Sequence, residues 1–255
     1  MILLSATHFI LTGHFIPYQA EPFRWFWLGL SGIIGLVLGD AMLFQAFVMI
    51  GTRITMLLMS IVPVISALLA WIFLGERLAA LEILAIVLTV GGISWVIIDK
   101  HQDSATVKGR QLILGILLGL GGATGQAVGL LTSKKGLAGD FPALSGNLIR
   151  MITAAAVMWI ITLIIGKAGV TIKKLQDKKA ARSIFGGAVF GPFVGVWLSL
   201  VAIKYARIGI ASTLMALTPI LLIPLVRWIF KEKISLNAVI GTIVAVAGAA
   251  LLFVE

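Results

Sequence analysis

Residues 56–97 read MLLMSIVPVISALLAWIFLGERLAALEILAIVLTVGGISWVI, and residues 212–253 read STLMALTPILLIPLVRWIFKEKISLNAVIGTIVAVAGAALLF. Laid over each other without a gap at an offset of 156 (219 minus 63), Pro63 meets Pro219, Leu69 meets Leu225, Glu76 meets Glu232 and Gly92 meets Gly248. Upstream at the same offset, Gly35 meets Gly191, Gly39 meets Gly195 and Ala46 meets Ala202. Apolar helices match one another easily by chance; Pro, Gly and Glu in register do so far less. Each copy is a pair of apolar runs joined by a few polar residues, GER in the first and KEK in the second. A helix crosses a hydrocarbon core of roughly 30 Å with about 20 mainly apolar residues, so each copy reads as two membrane spans and a tight turn.

Composition extends that reading to the whole chain. Of its 255 residues 60% are hydrophobic, 28 are Gly and 12% are charged, the last about half of the roughly 25% usual in soluble globular proteins. The mean hydropathy is +1.12. Too few polar side chains remain to cover a soluble surface, which excludes a soluble enzyme, a secreted module, a disordered protein and a nucleic-acid-binding domain. The net charge of +10 therefore marks loops beside anionic headgroups and not nucleic acid as a partner. With no cysteine there is no disulfide, no thiolate chemistry and no cysteine-based metal site; no metal or other cofactor is expected.

Spans are expected near Trp25–Ile50, Ile54–Leu74, Ala79–Ile98, Leu112–Leu131, Ala143–Ile165, Ile184–Ile203, Ile210–Phe230 and Leu236–Val254. A shorter apolar piece, Met1–Ile16, precedes Pro17 and lacks the basic start and small-residue cleavage site of a signal peptide. The fold expected is all-α and polytopic, two inverted five-helix repeats with the first truncated, about nine membrane segments. The first repeat covers 1–98, a polar linker 99–110, and the second repeat 111–255. Carrying Gln111 back by the offset lands about 45 residues ahead of Met1, so the chain is expected to start inside the second helix of a parent with five helices in each half.

These residues resemble the drug/metabolite transporter superfamily, in its EamA-type branch of ten-helix proteins. The motif that carries the resemblance is Pro63-Val64 within a span, the small-residue run Ala67–Ala70, Phe73-Leu74-Gly75-Glu76 at the span's end, and Gly91-Gly92 in the next. The later copy departs from it with Phe230-Lys231-Glu232. The resemblance implies a carrier of small organic metabolites, amino acids or related solutes among them. Alternating access in the plasma (inner) membrane of a prokaryote is expected, with a proton as candidate coupling ion and a homodimer as candidate assembly.

Six residues are the candidates for lining a central cavity: Asp40, Gln45, Gln126, Asn147, Arg150 and Trp197. Asp40 lies near the middle of its span, where a carboxylate is costly and faces a cavity, a partner or a proton path. Gly32, Gly35 and Gly39 stand beside it at helical spacing, a flat face for a neighbouring helix or ligand. Its repeat partner is Val196, so the two halves present different chemistry. Gln126 sits among Gly115, Gly119, Gly122, Gly125 and Gly129, a pattern that close helix packing explains by itself. Asn147 and Arg150 share a helix face; Arg150 either snorkels to headgroups or meets a substrate carboxylate. Pro63, Pro219 and Pro224 remove backbone hydrogen bonds and loosen their helices, as static kinks or as bending points. Glu76 and Glu232 read as turn residues, and His8, His14 and His101 have no assigned role.

Enzymatic readings fail on their partners. Gly29-Leu30-Ser31-Gly32 matches the G-x-S-G of rhomboid-type proteases, but the only later His, His101, is in a polar linker. Gly39-Asp40 has Val37 where an intramembrane aspartyl protease has its first Gly, and no second intramembrane Asp completes a dyad. A non-transporting scaffold or dimer subunit is the alternative that survives, with an intramembrane protease the remotest. Alternate linkers, counted on the expected topology, hold 12 Lys and Arg on one side and six on the other, the former including the cluster Lys173–Arg182. By the positive-inside rule that side is cytoplasmic, the reverse of the orientation the resemblance implies.

Overall fold

A computed structural model of the chain describes residues 1–99, 109–174, 177–218, 220 and 236–252. Among the described residues all regular structure is helical. In chain order the helices are α1 (Ile2–Thr12), α2 (Pro22–Ser31), α3 (Asp40–Met59), α4 (Val62–Leu74), α5 (Ala80–Asp99) and α6 (Arg110–Gly136). There follow α7 (Ala143–Ile164), α8 (Ala168–Lys174), α9 (Lys178–Ala188), α10 (Val196–Tyr205), α11 (Ile208–Met215) and α12 (Leu236–Leu251). Two wide π-helical turns, Gly32–Gly39 and Val189–Gly195, join α2 to α3 and α9 to α10.

Among the described residues five helical stretches are long and apolar enough to cross a membrane: Pro22–Gly51, Ile54–Leu74, Arg110–Gly136, Ala143–Ile164 and Ala181–Tyr205. Ile2–Thr12, Ala80–Trp95 and Val239–Leu251 are shorter apolar helices. The protein is thus all-α and polytopic.

The sequence repeat recurs in where the elements start and stop. α2 and α9 begin at Pro22 and Lys178, and the wide turns end at Gly39 and Gly195. α3 and α11 end at Met59 and Met215. Every one of these pairs is separated by 156 residues, the offset of the aligned stretches. The helix also breaks at matching positions: Gly51 has φ 77 and ψ 167, and Arg207, at the same offset, is extended at φ −64 and ψ 142. The wide turns form where the α-ladder is weakest. GIIGLVLG carries three glycines with poor helix propensity. VFGPFVG carries Pro192, which has no N–H to donate to the residue four back. Inserting a residue into the turn is the usual relief.

Two features differ from the sequence reading. The span Ile54–Leu74 is interrupted at Ser60 and Ile61, and Pro63 lies in the first turn of α4, where the missing N–H would have had no helical partner; Pro63 opens a helix and does not loosen one. And Gly32, Gly35 and Gly39 do not form one α-helical face, because a wide turn runs through them.

The helices cluster into two compact units, each drawing on both repeats. The first comprises Met1–Val37 and Thr132–Tyr205. Its core is Leu4, Leu144 and Leu148 with Phe193 and Trp197 packed against them. α2 meets α7 through glycine: a Cβ on Gly32 would stand 2.5 Å from the Arg150 carbonyl oxygen, and one on Gly29 would stand 3.2 Å from Thr153 Cγ2. The second unit comprises Leu38–Leu131 and Ala206–Glu255, and its centre is the α5–α12 pair. There the repeat partners Gly92 and Gly248 are reciprocal contact points. A Cβ on Gly92 would lie 2.5 Å from Ala245 N, and one on Gly248 would lie 2.7 Å from Thr89 N. In lipid, where burial of apolar surface gives little drive, such backbone-to-backbone approach supplies the dispersion that holds helices together.

Candidate functional site

Asp40 is the residue at which the α-helix resumes after the first wide turn. It is half-buried, and its Oδ1 accepts a 3.0 Å hydrogen bond from Nε2 of Gln126 on α6. The glycines of α6 make that reach available. A Cβ on Gly122 would be 3.2 Å from Leu43 N and 3.3 Å from Gly39 O, and one on Gly121 would be 2.6 Å from Met42 Sδ. Gly119 and Gly115 likewise abut Leu58 and Ile50. The small-residue stripe of α6 therefore packs on α3, as its spacing allows, and Gln126, one turn beyond Gly122, extends its amide from the same face. Because Gln126 donates to Oδ1, the bond suits both the carboxylate and the neutral acid. Proton gain or loss at Asp40 does not oblige Gln126 to turn. Gln45, on the same helix as Asp40, is exposed and not part of this pair.

The other three candidates lie in the first unit. Asn147 is fully buried, and its Nδ2 donates to the carbonyl of Pro192 at 3.1 Å. That carbonyl belongs to the second wide turn, so Asn147 ties α7 to the place where the α-ladder is broken. Its Oδ1 has no hydrogen-bond partner among the described residues. Trp197 is half-buried and packs with Phe193, ring centroids 6.1 Å apart, against the Leu4–Leu144–Leu148 core. Arg150 is 2% exposed; it is held inside and does not snorkel, and its carbonyl accepts from Thr153 Oγ1 at 3.0 Å. The structure thus brings Asp40 and Gln126 together and gives Asn147 and Trp197 packing contacts within their own unit. Pro219, Pro224, Glu232 and His101 lie outside the described residues.

Sequence reasoning missed two constellations. At the end of α4, Oε2 of Glu76 accepts from the backbone N–H of Ile208, the first residue of α11, at 2.9 Å. Arg207 donates to the Arg77 carbonyl at 2.7 Å and is ion-paired with Glu82, whose other oxygen accepts from Ala79 N at 2.7 Å. The Glu of the Phe-Leu-Gly-Glu motif is therefore the cap of a helix from the other repeat. The second is a cavity of about 190 Å³ where residues 14–20 meet the start of α7. His8, buried there, donates from Nδ1 to the His14 carbonyl at 2.5 Å, and its Nε2 is hydrogen-bonded with Ser145 Oγ at 3.0 Å. Glu82, three residues after Ala79, carries half of a capping-box signature; nothing local in sequence announces the His8–Ser145 pair, whose members are 137 residues apart.

A family model described as the EamA-like transporter family matches residues 1–98 and 113–254. No curated protein matches the chain. Among solved structures, one described only as a crystal structure of a protein is similar over 98% of this chain and 83% of its own, with a TM-score of 0.74 at 15% identity. At that identity the similarity concerns the fold alone.

Proposed function

Since the chain belongs to the EamA-like transporter family, whose members carry small solutes across membranes, we propose that it moves small organic metabolites by alternating access and that Asp40 is its proton- or amine-binding group. The observation that carries the proposal is the Asp40–Gln126 hydrogen bond. It sits within the apolar stretch Pro22–Gly51, where an ionisable side chain is costly unless it serves a path or a ligand. An amide that can donate to either protonation state lets the carboxyl exchange a proton, or a substrate ammonium, while keeping its bond to Gln126. Amino acids and related amines are the substrate class this chemistry favours. The two wide turns, at matching repeat positions, supply places where the spans can bend with fewer hydrogen bonds to break.

The test is flux in proteoliposomes. Proteoliposomes are loaded with one unlabelled solute at a time from a panel of amino acids, polyamines and organic acids, and uptake of the labelled solute is followed by counterflow, with and without an imposed pH gradient. Saturable uptake of an amine-bearing solute that responds to the gradient supports the reading. Absence of counterflow for every member, from protein that is monodisperse and helical, overturns it.

A further inference from the structure

The cations near the two ends of α7 are used differently. Around its start they are held by the protein itself. Arg24 donates to the carbonyls of Gly136 and Ala138 at 3.2 and 2.8 Å, faces Glu21 at 3.5 Å and lies 4.5 Å over the Phe141 ring. Lys204 donates to the Phe141 carbonyl at 3.0 Å, and Lys135 stands 4.6 Å over the Trp27 ring. Beyond its other end the chain turns at Gly166, φ 72, into α8 and α9. Residues 167–182 hold six of the chain's 20 Lys and Arg against a single acid, Asp177. Lys167, Lys173, Lys178 and Arg182 are all exposed. Among the described residues none of these four side chains has a hydrogen bond, an ion pair or a ring contact.

The four are close neighbours. Lys173 and Lys178 are five residues apart, at most about 18 Å along the chain, and Lys178 and Arg182 share a helix face at i, i+4. Like charges at that spacing lie on the order of one Debye length apart, so they repel unless a counter-charge sits among them. Exposed apolar side chains are adjacent to and interspersed with them in sequence: Ile164 and Ile165 precede Lys167, Val170 and Ile172 lie between Lys167 and Lys173, and Ile184 and Phe185 follow Arg182. Cations interspersed with exposed apolar side chains are what a segment at the headgroup level presents. The counter-charge within reach there is lipid phosphate, and clusters of this size beside a span bind anionic leaflets.

We propose that Lys167, Lys173, Lys178 and Arg182, on and beside α8 and α9, form a docking surface for the headgroups of anionic phospholipids. The lipid fills the role that Glu21, Phe141 and backbone carbonyls fill near the start of α7, and it fixes this end of the unit against one leaflet.

The test is the melting temperature of the full chain in mild detergent, titrated with phosphatidylglycerol or with phosphatidylcholine. Phosphatidylglycerol is expected to raise it by several degrees more than phosphatidylcholine, and added salt is expected to abolish the difference. Substituting the four by Gln (K167Q, K173Q, K178Q, R182Q) should leave the melting temperature in phosphatidylcholine unchanged. It should weaken the phosphatidylglycerol response about tenfold or more in half-saturating concentration. Replacing the three lysines by Arg should retain the response, which separates lost charge from a damaged fold. Equal responses to the two lipids, a quadruple variant that responds like the parent, or an inorganic phosphate or oligonucleotide response matching that of phosphatidylglycerol would each overturn the proposal.

Discussion

Gln126 on α6 donates a 3.0 Å hydrogen bond to Asp40 at the first position of α3, and the glycine one turn before it makes the contact possible. A Cβ on Gly122 would stand 3.2 Å from Leu43 N and 3.3 Å from Gly39 O, so a side chain there would need the facing backbone to give by a few tenths of an ångström. Packing and polar chemistry are thus one arrangement on α6: small residues set the helix separation, and the separation sets which carboxyl the amide can meet.

The reciprocal glycines of α5 and α12 give the sharpest packing prediction. Gly248→Ala puts a methyl 2.7 Å from Thr89 N, and backbone cannot yield as a side-chain tip can. We expect a cost of about 1–3 kcal/mol, read as a lower melting temperature in detergent. Gly91→Ala, whose Cβ would meet open space, should be neutral or slightly stabilising, by up to about 1 kcal/mol. Equal effects of the two substitutions would refute this description of the α5–α12 contact.

Glu76 is predicted to act as a helix cap. Glu76→Ala removes the acceptor for the N–H of Ile208 and should cost about 0.5–2 kcal/mol, whereas Glu76→Gln keeps an acceptor oxygen and should cost less. Thermal unfolding of the two variants side by side decides it; a Gln variant as damaged as the Ala variant would point to charge and not to capping.

Asn147→Ala leaves the Pro192 carbonyl without its donor inside the first unit. A destabilisation of about 1–3 kcal/mol follows from the unsatisfied group, together with faster amide exchange around Val189–Gly195. Exchange there at the parental rate would show that the wide turn does not depend on Asn147.

How far the sequence could be read follows from these same residues. Periodicity and the in-register Pro, Gly and Glu disclose spans, turns and repeat because helix length and turn chemistry are local properties. The helix starts at Pro22 and Lys178 and the wide-turn ends at Gly39 and Gly195 keep the offset of 156 found in the aligned sequences. Asp40 and Gln126 stood out singly, as polar groups in apolar runs; that they meet depends on the α3–α6 separation, which a one-dimensional pattern does not encode. The wide turns were hidden for a related reason. Gly32, Gly35 and Gly39 fit a 3.6-residue period, so the spacing read as a smooth face, and only the preference of glycine against helix hinted otherwise. The burial of Arg150, and of His8 against Ser145, is a tertiary fact with no local signal.

Orientation is open to a chemical test because the chain has no cysteine. With the cluster Lys173–Arg182 cytoplasmic, as short basic loops tend to be, Gln176→Cys should resist an impermeant maleimide in intact cells and react after permeabilisation. Labelling of intact cells would place this linker outside and reverse the assignment.

The central claim, that Asp40 binds the proton or the amine during transport, is tested most directly by the pH profile of flux for Asp40→Asn in proteoliposomes. Asn is nearly isosteric and still offers an oxygen to Gln126, so the variant should fold, keeping the parental melting temperature within a few degrees. Transport is expected to fall sharply or to lose its dependence on pH, since the amide cannot release a proton at any pH studied. Parental flux from Asp40→Asn at every pH would contradict the claim.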